Sequence, residues 1–363
     1  MGRHAIFFSN LNATILLRHI STSAQLKMET MKAWQCRSSP DPVEKRLFLS
    51  PAGIPKPTIT DDQVLVETYS AALNPIEHKI LELGLAKKLM FRSPATPGMD
   101  VCGRVAGIGK NVNSFRVGDM VYGACDGVFG AGSFAQFVPI SKNSIARVPQ
   151  GLKPDDMAAI AVVGMTTYQG LKPYVKEKSR IFINGGSGGT GTVSIQIAKA
   201  LGCHVTTSCS TANIELCRSL GADEVLDYKS GDLVKQLQSK GQVFDMVLDN
   251  VGSPANLYKV SHTFLTLSGN FVQVGGGMSF SDFRQLGANM MLPGFLGGGK
   301  RKYTFVTAKA NAACFEQLAV WMEQGKMRAV LDSTFEFDDV PKAFARLKTG
   351  RARGKVVVRV RQP

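Results

Sequence analysis

The stretch RIFINGGSGGTGTVSIQIAKALG, Arg180 to Gly202, carries five glycines within seven residues, between an apolar run and a helix-like one. Gly186, Gly188 and Gly191 form a G-x-G-x-x-G pattern, and Ser187 and Gly189 fill the turn between them. This spacing suits a dinucleotide cradle. One glycine permits a tight strand-to-helix turn, the next lets backbone amides approach a pyrophosphate, and the third lets helix and strand pack closely. The helix start adds unpaired N–H groups and partial positive charge, both suited to phosphate. The pattern alone is weak. Here it follows a strand pattern, opens a helix pattern and sits within strand–helix repeats, which is the context it needs.

A site for NAD places Asp or Glu about twenty residues further on, against the ribose 2′-OH. The second strand pattern, HVTTSC, runs into STANIE, and Ser208, Ser210 and Asn213 stand where that acid would be. Small hydroxyl and amide groups leave room for a 2′-phosphate, and Tyr228 and Lys229 follow the next strand. The expected cofactor is therefore NADP(H). Ser210 and Asn213 also suit the cap of the helix that follows, and the two roles are compatible.

A second glycine cluster, GFLGGGKRKY, contains Gly294-x-x-x-x-Gly299-Lys300. Arg301 replaces the Ser or Thr that would hold Mg²⁺, and no clear strand leads in, so nucleotide hydrolysis is rejected. A mobile basic loop near cofactor or substrate is the preferred reading, with a solvated surface loop as the alternative. Glu77 and His78 are sequence neighbours, which rarely face one site, so they are not read as a catalytic pair.

Those residues need elements to position them. From Met31 to about Leu152, short alternating strands such as QVLVETYSAAL and SFAQFVPI are punctuated by Gly and Pro, which indicates a small barrel or sandwich. From about Pro154 the rhythm becomes strand–helix, with short apolar strands that indicate a parallel sheet covered on both faces. Short β elements return after about Ala308, so the tail is expected to fold back onto the first unit. The expected organisation is α/β: residues 31–152, then a cofactor unit over 153–308, then a return segment over 309–363.

Hydrophobic content of 44% with 20% charged residues excludes a disordered chain. No run reaches the roughly eighteen apolar residues of a membrane span. Seven cysteines without a C-x-x-C pair argue for a reducing compartment rather than a disulfide framework. A net charge of +15 favours anionic partners, among them phosphorylated cofactors and acidic membrane surfaces, although a basic solvated surface also accounts for it. Residues 1–30 carry Arg3, Arg18 and Lys27, several Ser and Thr, and no acid before Glu29, which is the composition of a mitochondrial transit peptide. Met28 and Met31 are alternative starts, and a cytoplasmic chain is then the alternative location.

The ordered blocks NPIEHKILELG, PGMDVCGRVAGIG, GDMVYG, GMTTYQGL, GGSGGTG, GADEVLDY, LDNVG and GKVVV span residues 31–360. In that order they resemble the medium-chain dehydrogenase/reductase superfamily. The resemblance implies a GroES-like catalytic domain with an inserted Rossmann domain. Zinc alcohol dehydrogenases of this superfamily carry a Cys ligand where this chain has Asn74, and Gly-His-Glu where it has Gly98-Met99-Asp100. The Cys set of their structural zinc lobe is also missing, so no metal is expected. NPIEHK and FLGGGKRKY resemble the zinc-independent quinone oxidoreductase branch, near plastid-envelope homologues and alkenal/enone reductases.

That resemblance implies site residues. Lys79 and Thr166 would contact NADP, Ser187 and Gly188 would hold the pyrophosphate, and Ser210, Asn213 and Tyr228 the 2′-phosphate. Backbone at Val251 and at Val274–Gly275 would flank the nicotinamide. Glu77 departs from the usual Asp, and Asn213 stands where several relatives have a basic residue. The implied reaction is hydride addition to the β-carbon of an α,β-unsaturated carbonyl or a quinone. Asn74 and Lys79 are the candidate donors to the enolate oxygen. Tyr69 is either a proton source or, as the preferred reading, a packed barrel tyrosine. Cys102, Cys125 and Cys314 are read as buried apolar fillers. Two alternatives stand beside this reading. One is an enoyl-thioester reductase of fatty-acid or polyketide synthesis. The other is an NADPH-binding assembly protein using its basic surface on RNA or a membrane. No aromatic RNA-binding block is present, so no specific nucleic-acid partner is expected. A homodimer is the oligomer common in the family.

Overall fold

The computed structural model describes residues 29–82, 94–125, 131–277, 279–292, 296 and 298–362. Residues 1–28 of the segment expected as a transit peptide, and Gly294 of the second glycine cluster, lie outside them. Near the start, β1 (Thr30–Met31) and β2 (Trp34–Cys36) precede α1 (Val43–Arg46), and β3 (Leu47–Leu49) and β4 (Ile54–Pro55) pair back with β2 and β1. Then come β5 (Gln63–Ala72), α2 (Pro75–Leu81), β6 (Asp100–Ile108), β7 (Met120–Ala124), β8 (Phe137–Ser141) and β9 (Ile145–Arg147). The long α3 (Pro154–Leu171) leads into a second sheet.

That second sheet is built from β10 (Arg180–Asn184), α4 (Gly189–Ala200), β11 (His204–Cys209), α5 (Ile214–Ser219), β12 (Glu224–Asp227), α6 (Leu233–Gln238) and β13 (Phe244–Asp249). It continues through α7 (Leu257–Val260), β14 (Leu265–Gln273), α8 (Phe280–Met291) and β15 (Lys302–Phe305). The order β12-β11-β10-β13-β14-β15 is wholly parallel and reverses direction between β10 and β13. Ligands bind at such a reversal, outside the carboxyl ends of the strands. Strand side chains alternate between two cores. Ile181, Ile183, Val205, Met246 and Leu248 pack on one face, and Phe182, Phe244, Val247 and Phe271 on the other. This is why the strands are apolar at consecutive positions.

The tail consists of α9 (Ala312–Glu323), β16 (Leu331–Glu336), α10 (Val340–Lys348) and β17 (Lys355–Arg359). It returns to the first sheet, whose order is β16-β17-β5-β6-β7-β9, with β8 also on β5. Val357 of β17 lies opposite Ala72 of β5. α3 joins the two sheets. Its face carrying Met157, Ile160, Ala161 and Met165 shares one core with Cys102 and Tyr122 of the first sheet and Ile181 and Val193 of the second. All seven cysteines are buried, and burial pushes the Cys314 thiol up to about 12. Among the described residues no helix is long and apolar enough to cross a membrane.

NLYKVSHTFL, within the strand–helix rhythm, forms only the single turn α7 followed by a 3₁₀ turn at Ser261–Thr263. Ser, His and β-branched Thr are weak helix formers, and β14 begins at Leu265. The short strand β15 and the helix α8 carried no expectation. Of the basic loop before β15, the described Arg301 is tied to the sheet. The Arg301 guanidinium donates to the carbonyls of His262 and Leu265, and Tyr258 Oη donates to the Arg301 carbonyl at 2.7 Å.

Candidate active site

The glycine-rich turn leaves β10 through Gly185, at φ +82°, and this is the residue that needs the left-handed conformation. The sequence pattern had assigned the tight turn to the motif itself, beginning at Gly186. Gly186 has another reason to lack a side chain, since a Cβ there would lie 2.3 Å from Thr207 Oγ1. Gly191 lets α4 press onto the turn, because a Cβ would meet the Gly185 carbonyl at 2.0 Å. Gly188 differs: the sole neighbour of its Cβ direction is the Gly185 carbonyl at 3.8 Å. It is the N-cap of α4 and has no side-chain cap, so first-turn amides are left for a ligand. Crowded glycines thus fix the turn while the open one admits an approaching group. That arrangement fits a pyrophosphate.

Around the next strand end, Asn213 Nδ2 donates to Ser187 Oγ at 3.0 Å and to Ser210 Oγ at 3.2 Å. Tyr228 is largely exposed, and its N–H donates to the Cys209 carbonyl. Four expected residues are therefore brought to one corner of the sheet. Ser208 is not available there. It is buried, donates to Asn184 Oδ1 at 2.7 Å and accepts from the Gly185 N–H. Sequence reasoning missed Arg353, whose Nε donates to Asn213 Oδ1 and whose Nη2 donates to the Ala212 carbonyl.

At the other end, Val274 and Gly275 donate their N–H groups to the Asp249 carbonyl. The Asp249 carboxylate is buried and receives N–H bonds from Val251 and Gly252 and Asn184 Nδ2. These bonds set the loops after β13 and β14 side by side. Val251 leans over Gly185, where a Cβ would meet its Cγ2 at 2.4 Å. Lys79 Nζ donates to the Gly276 carbonyl at 2.7 Å, which bridges α2 to these loops. Burial lowers the Lys79 pKa, and Asp282 partly offsets that. Thr166 is half-buried on α3, one turn beyond Val162 and so on the same helix face.

Beneath the cleft lies a buried cluster that sequence reasoning did not assemble. Lys355 Nζ donates to Asn74 Oδ1 and to Asp100 Oδ2, both at 2.8 Å. Asn74 Nδ2 donates to Asp100 Oδ2 at 2.8 Å and to Glu77 Oε1 at 3.4 Å. Asp100 Oδ1 receives the Val162 N–H at 2.5 Å, and Glu77 receives the N–H groups of Met99 and Asn74. All four side chains are buried. Glu77 also closes a capping box on α2, the helix that Asn74 starts. Burial, reinforced by the Asp100 carboxylate, pushes the Glu77 carboxyl up to about 8.

This cluster corrects the expected role of Asn74. Both ends of its amide are committed, to Lys355 at the oxygen and to Asp100 and Glu77 at the nitrogen, which leaves it no free donor for a substrate. His78 faces elsewhere, with Nδ1 3.5 Å from Glu82 Oε2. Tyr69 is a packed barrel tyrosine. Its ring is buried with the Arg104 guanidinium 5.4 Å from its centroid, and its carbonyl receives the Val360 and Arg361 N–H groups. The donor set at Asn74, Met99 and Asp100 does not suit zinc, because an ammonium already occupies the carboxylate. Among the described residues no three His, Cys, Asp or Glu side chains are grouped to hold a metal ion.

A wholly parallel sheet with an open glycine-rich helix start at the point where the strand order reverses is the arrangement that receives a dinucleotide. Comparison agrees. Residues 60–150 match the model of the alcohol dehydrogenase GroES-like domain, and residues 220–358 that described as zinc-binding dehydrogenase. The trans-enoyl reductase pgmF of Aspergillus terreus is 43% identical over 349 residues, covering 91% of this chain and 96% of that protein. The mitochondrial NAD(P)H oxidoreductase RTN4IP1 of Homo sapiens is 34% identical over 332 residues, 82% of each chain. The quinone oxidoreductase structure from Coxiella burnetii superposes with a TM-score of 0.79 at 28% identity, over 92% of this chain and all of that one. The chain belongs to the medium-chain dehydrogenase/reductase superfamily. It is an oxidoreductase of that family, whose members bind a nicotinamide cofactor.

Two outcomes follow from the cluster. Lys355→Met leaves Asp100 charged and unpaired, and is expected to cost about 3–5 kcal/mol in urea unfolding. Adding Asp100→Asn to that variant should recover part of the loss. The Glu77 carboxyl keeps its proton in the folded state, whereas the unfolded chain releases it near 4.5. Its contribution to stability is full below 4.5 and is lost as pH rises toward about 8. Unfolding midpoints measured across that window should fall less steeply in Glu77→Gln than in the wild type.

Proposed function

We propose that the chain is a metal-independent, NADPH-dependent reductase of carbon–carbon double bonds conjugated to a carbonyl, acting on α,β-unsaturated carbonyls or quinones. The observation that carries this reading is the Lys355–Asp100–Asn74 cluster at the positions where zinc ligands would stand. Without a Lewis acid to polarise an alcohol or ketone, the substrate must already be an activated hydride acceptor. The names of the relatives, a trans-enoyl reductase and a quinone oxidoreductase, point to such acceptors.

NADPH, when bound, supplies the hydride. The chain's own residues bind and orient. Ser187, Gly188, Gly189 and the start of α4 receive the pyrophosphate. Ser210, Asn213 and Tyr228 receive the adenosine end. Val251, Val274 and Gly275 flank the nicotinamide, and Thr166 faces the cleft from α3. Lys79, held at the Gly276 carbonyl, stabilises negative charge developing on the carbonyl oxygen. Water returns the proton to the α-carbon. Free enones are the main reading. An enoyl thioester is the second, favoured by the trans-enoyl reductase relative. The basic, acid-free leader and the mitochondrial relative support a mitochondrial location. The homodimer and peripheral contact with an acidic membrane remain part of the proposal, the latter on net charge alone.

The test is oxidation of NADPH by the purified chain with free enones, quinones and enoyl thioesters, NADH run in parallel. Turnover of free enones or quinones, with deuterium from labelled NADPH appearing at the β-carbon, is the expected result. Turnover of thioesters alone would move the protein to acyl-chain synthesis. Cofactor binding without any turnover would overturn the reductase reading.

A further inference from the structure

We propose that Arg353, supplied by the C-terminal return segment, is the residue that binds the cofactor's 2′-phosphate and sets the preference for NADP(H) over NAD(H). The inference rests on the cofactor reading above and assigns it to a residue far from the cofactor motif in sequence.

The position of Arg353 is fixed by its backbone. Its N–H donates to Asp332 Oδ1 at 2.8 Å, and Asp332 is itself gripped by Arg346 through Nε at 2.8 Å and Nη2 at 2.6 Å. The next residue, Gly354, donates its N–H to the Ser187 carbonyl at 3.1 Å. The segment is therefore clipped onto the glycine-rich turn. From there the guanidinium reaches across to Asn213 Oδ1 and the Ala212 carbonyl. These bonds use Nε and one N–H of Nη2. Nη1 and the second Nη2 hydrogen have no partner among the described residues, and the side chain is exposed.

The surroundings suit a dianion. Asn213 turns its NH₂ group toward Ser187 and Ser210 because Arg353 occupies its oxygen. Lys229 adds an ammonium beside Tyr228. Asp227, at the end of the neighbouring strand, is engaged by Thr211 Oγ1 at 2.6 Å and by the Lys229 N–H at 2.8 Å. A guanidinium presents paired donors that match phosphate oxygens. An unmodified ribose 2′-OH is held in NAD sites by a carboxylate, and the carboxylate at this corner, Asp227, already accepts from Thr211 and Lys229. Asn213 stands where a basic residue would be expected, and Arg353 delivers that charge from 140 residues away.

The experiment is calorimetric titration of the full chain with 2′,5′-ADP and with 5′-AMP, which differ by the 2′-phosphate alone. The wild type should bind 2′,5′-ADP at least about tenfold more tightly, the size expected of charge-assisted bonds. Arg353→Met should lose most of that ratio at unchanged affinity for 5′-AMP, and Arg353→Lys should retain part of it. Thermal melts check that the variants fold, and the exposed side chain makes folding of both expected. A ratio unaltered in Arg353→Met overturns the inference and leaves the NADPH reading standing. Equal weakening of both ligands also overturns it, since that marks a purely structural role. A wild type that does not distinguish the two ligands removes the NADPH reading and the inference together.

Discussion

The Lys355 ammonium lies out of water between the Asn74 amide and the Asp100 carboxylate, and three parts of the molecule meet on it. Asn74 starts α2, Asp100 starts β6 and binds the α3 backbone at Val162, and Lys355 begins β17. A buried ion pair of this kind adds little net stability over an apolar replacement. It does impose a cost on any arrangement that separates its members, and so fixes how the elements meet. The Lys355 side chain also runs against the glycine-rich turn, within 3.0 Å of where a Cβ on Gly189 would be. One cation therefore ties the floor of the cleft to the cofactor cradle.

Consecutive residues of the return segment reach the same cradle. Arg353 meets Asn213, Gly354 meets the Ser187 carbonyl, and Lys355 meets Asp100. The chain leaves the first sheet, builds the parallel sheet, and comes back with a strand whose preceding residues, Arg353 and Gly354, clasp the turn between β10 and α4. This explains why the tail belongs to the first sheet by hydrogen bonding and to the cofactor site by side-chain contact. It also places the metal-free character of the site in the fold itself, since the cation is delivered by a strand of the core.

Much of this was legible in the sequence. The parallel sheet showed itself through short apolar runs alternating with helices, because both faces of such a sheet are covered. The glycine-rich motif was recognisable because its constraints are local: a turn, a helix start and close packing within a few residues. The corner of Ser187, Ser210, Asn213 and Tyr228 was also expected. What escaped depends on long-range contacts. Lys355 pairs with Asp100 across 255 residues and with Asn74 across 281. No periodicity connects them. Asn74 was expected as a donor to substrate because its commitments lie on distant strands. The left-handed turn at Gly185 was misassigned by one position, since two adjacent glycines offer the same signal. The strand β15 spans four residues, Lys302–Phe305, too few for alternation to show.

In the proposed reaction hydride reaches a conjugated substrate without help from a metal, because the Lys355 ammonium occupies the Asp100 carboxylate. This is tested most directly by metal analysis of the purified chain combined with enone turnover before and after exhaustive chelation. Substoichiometric zinc and an unchanged kcat are the expected result. Stoichiometric zinc, with turnover lost on chelation and restored by adding zinc, would contradict it.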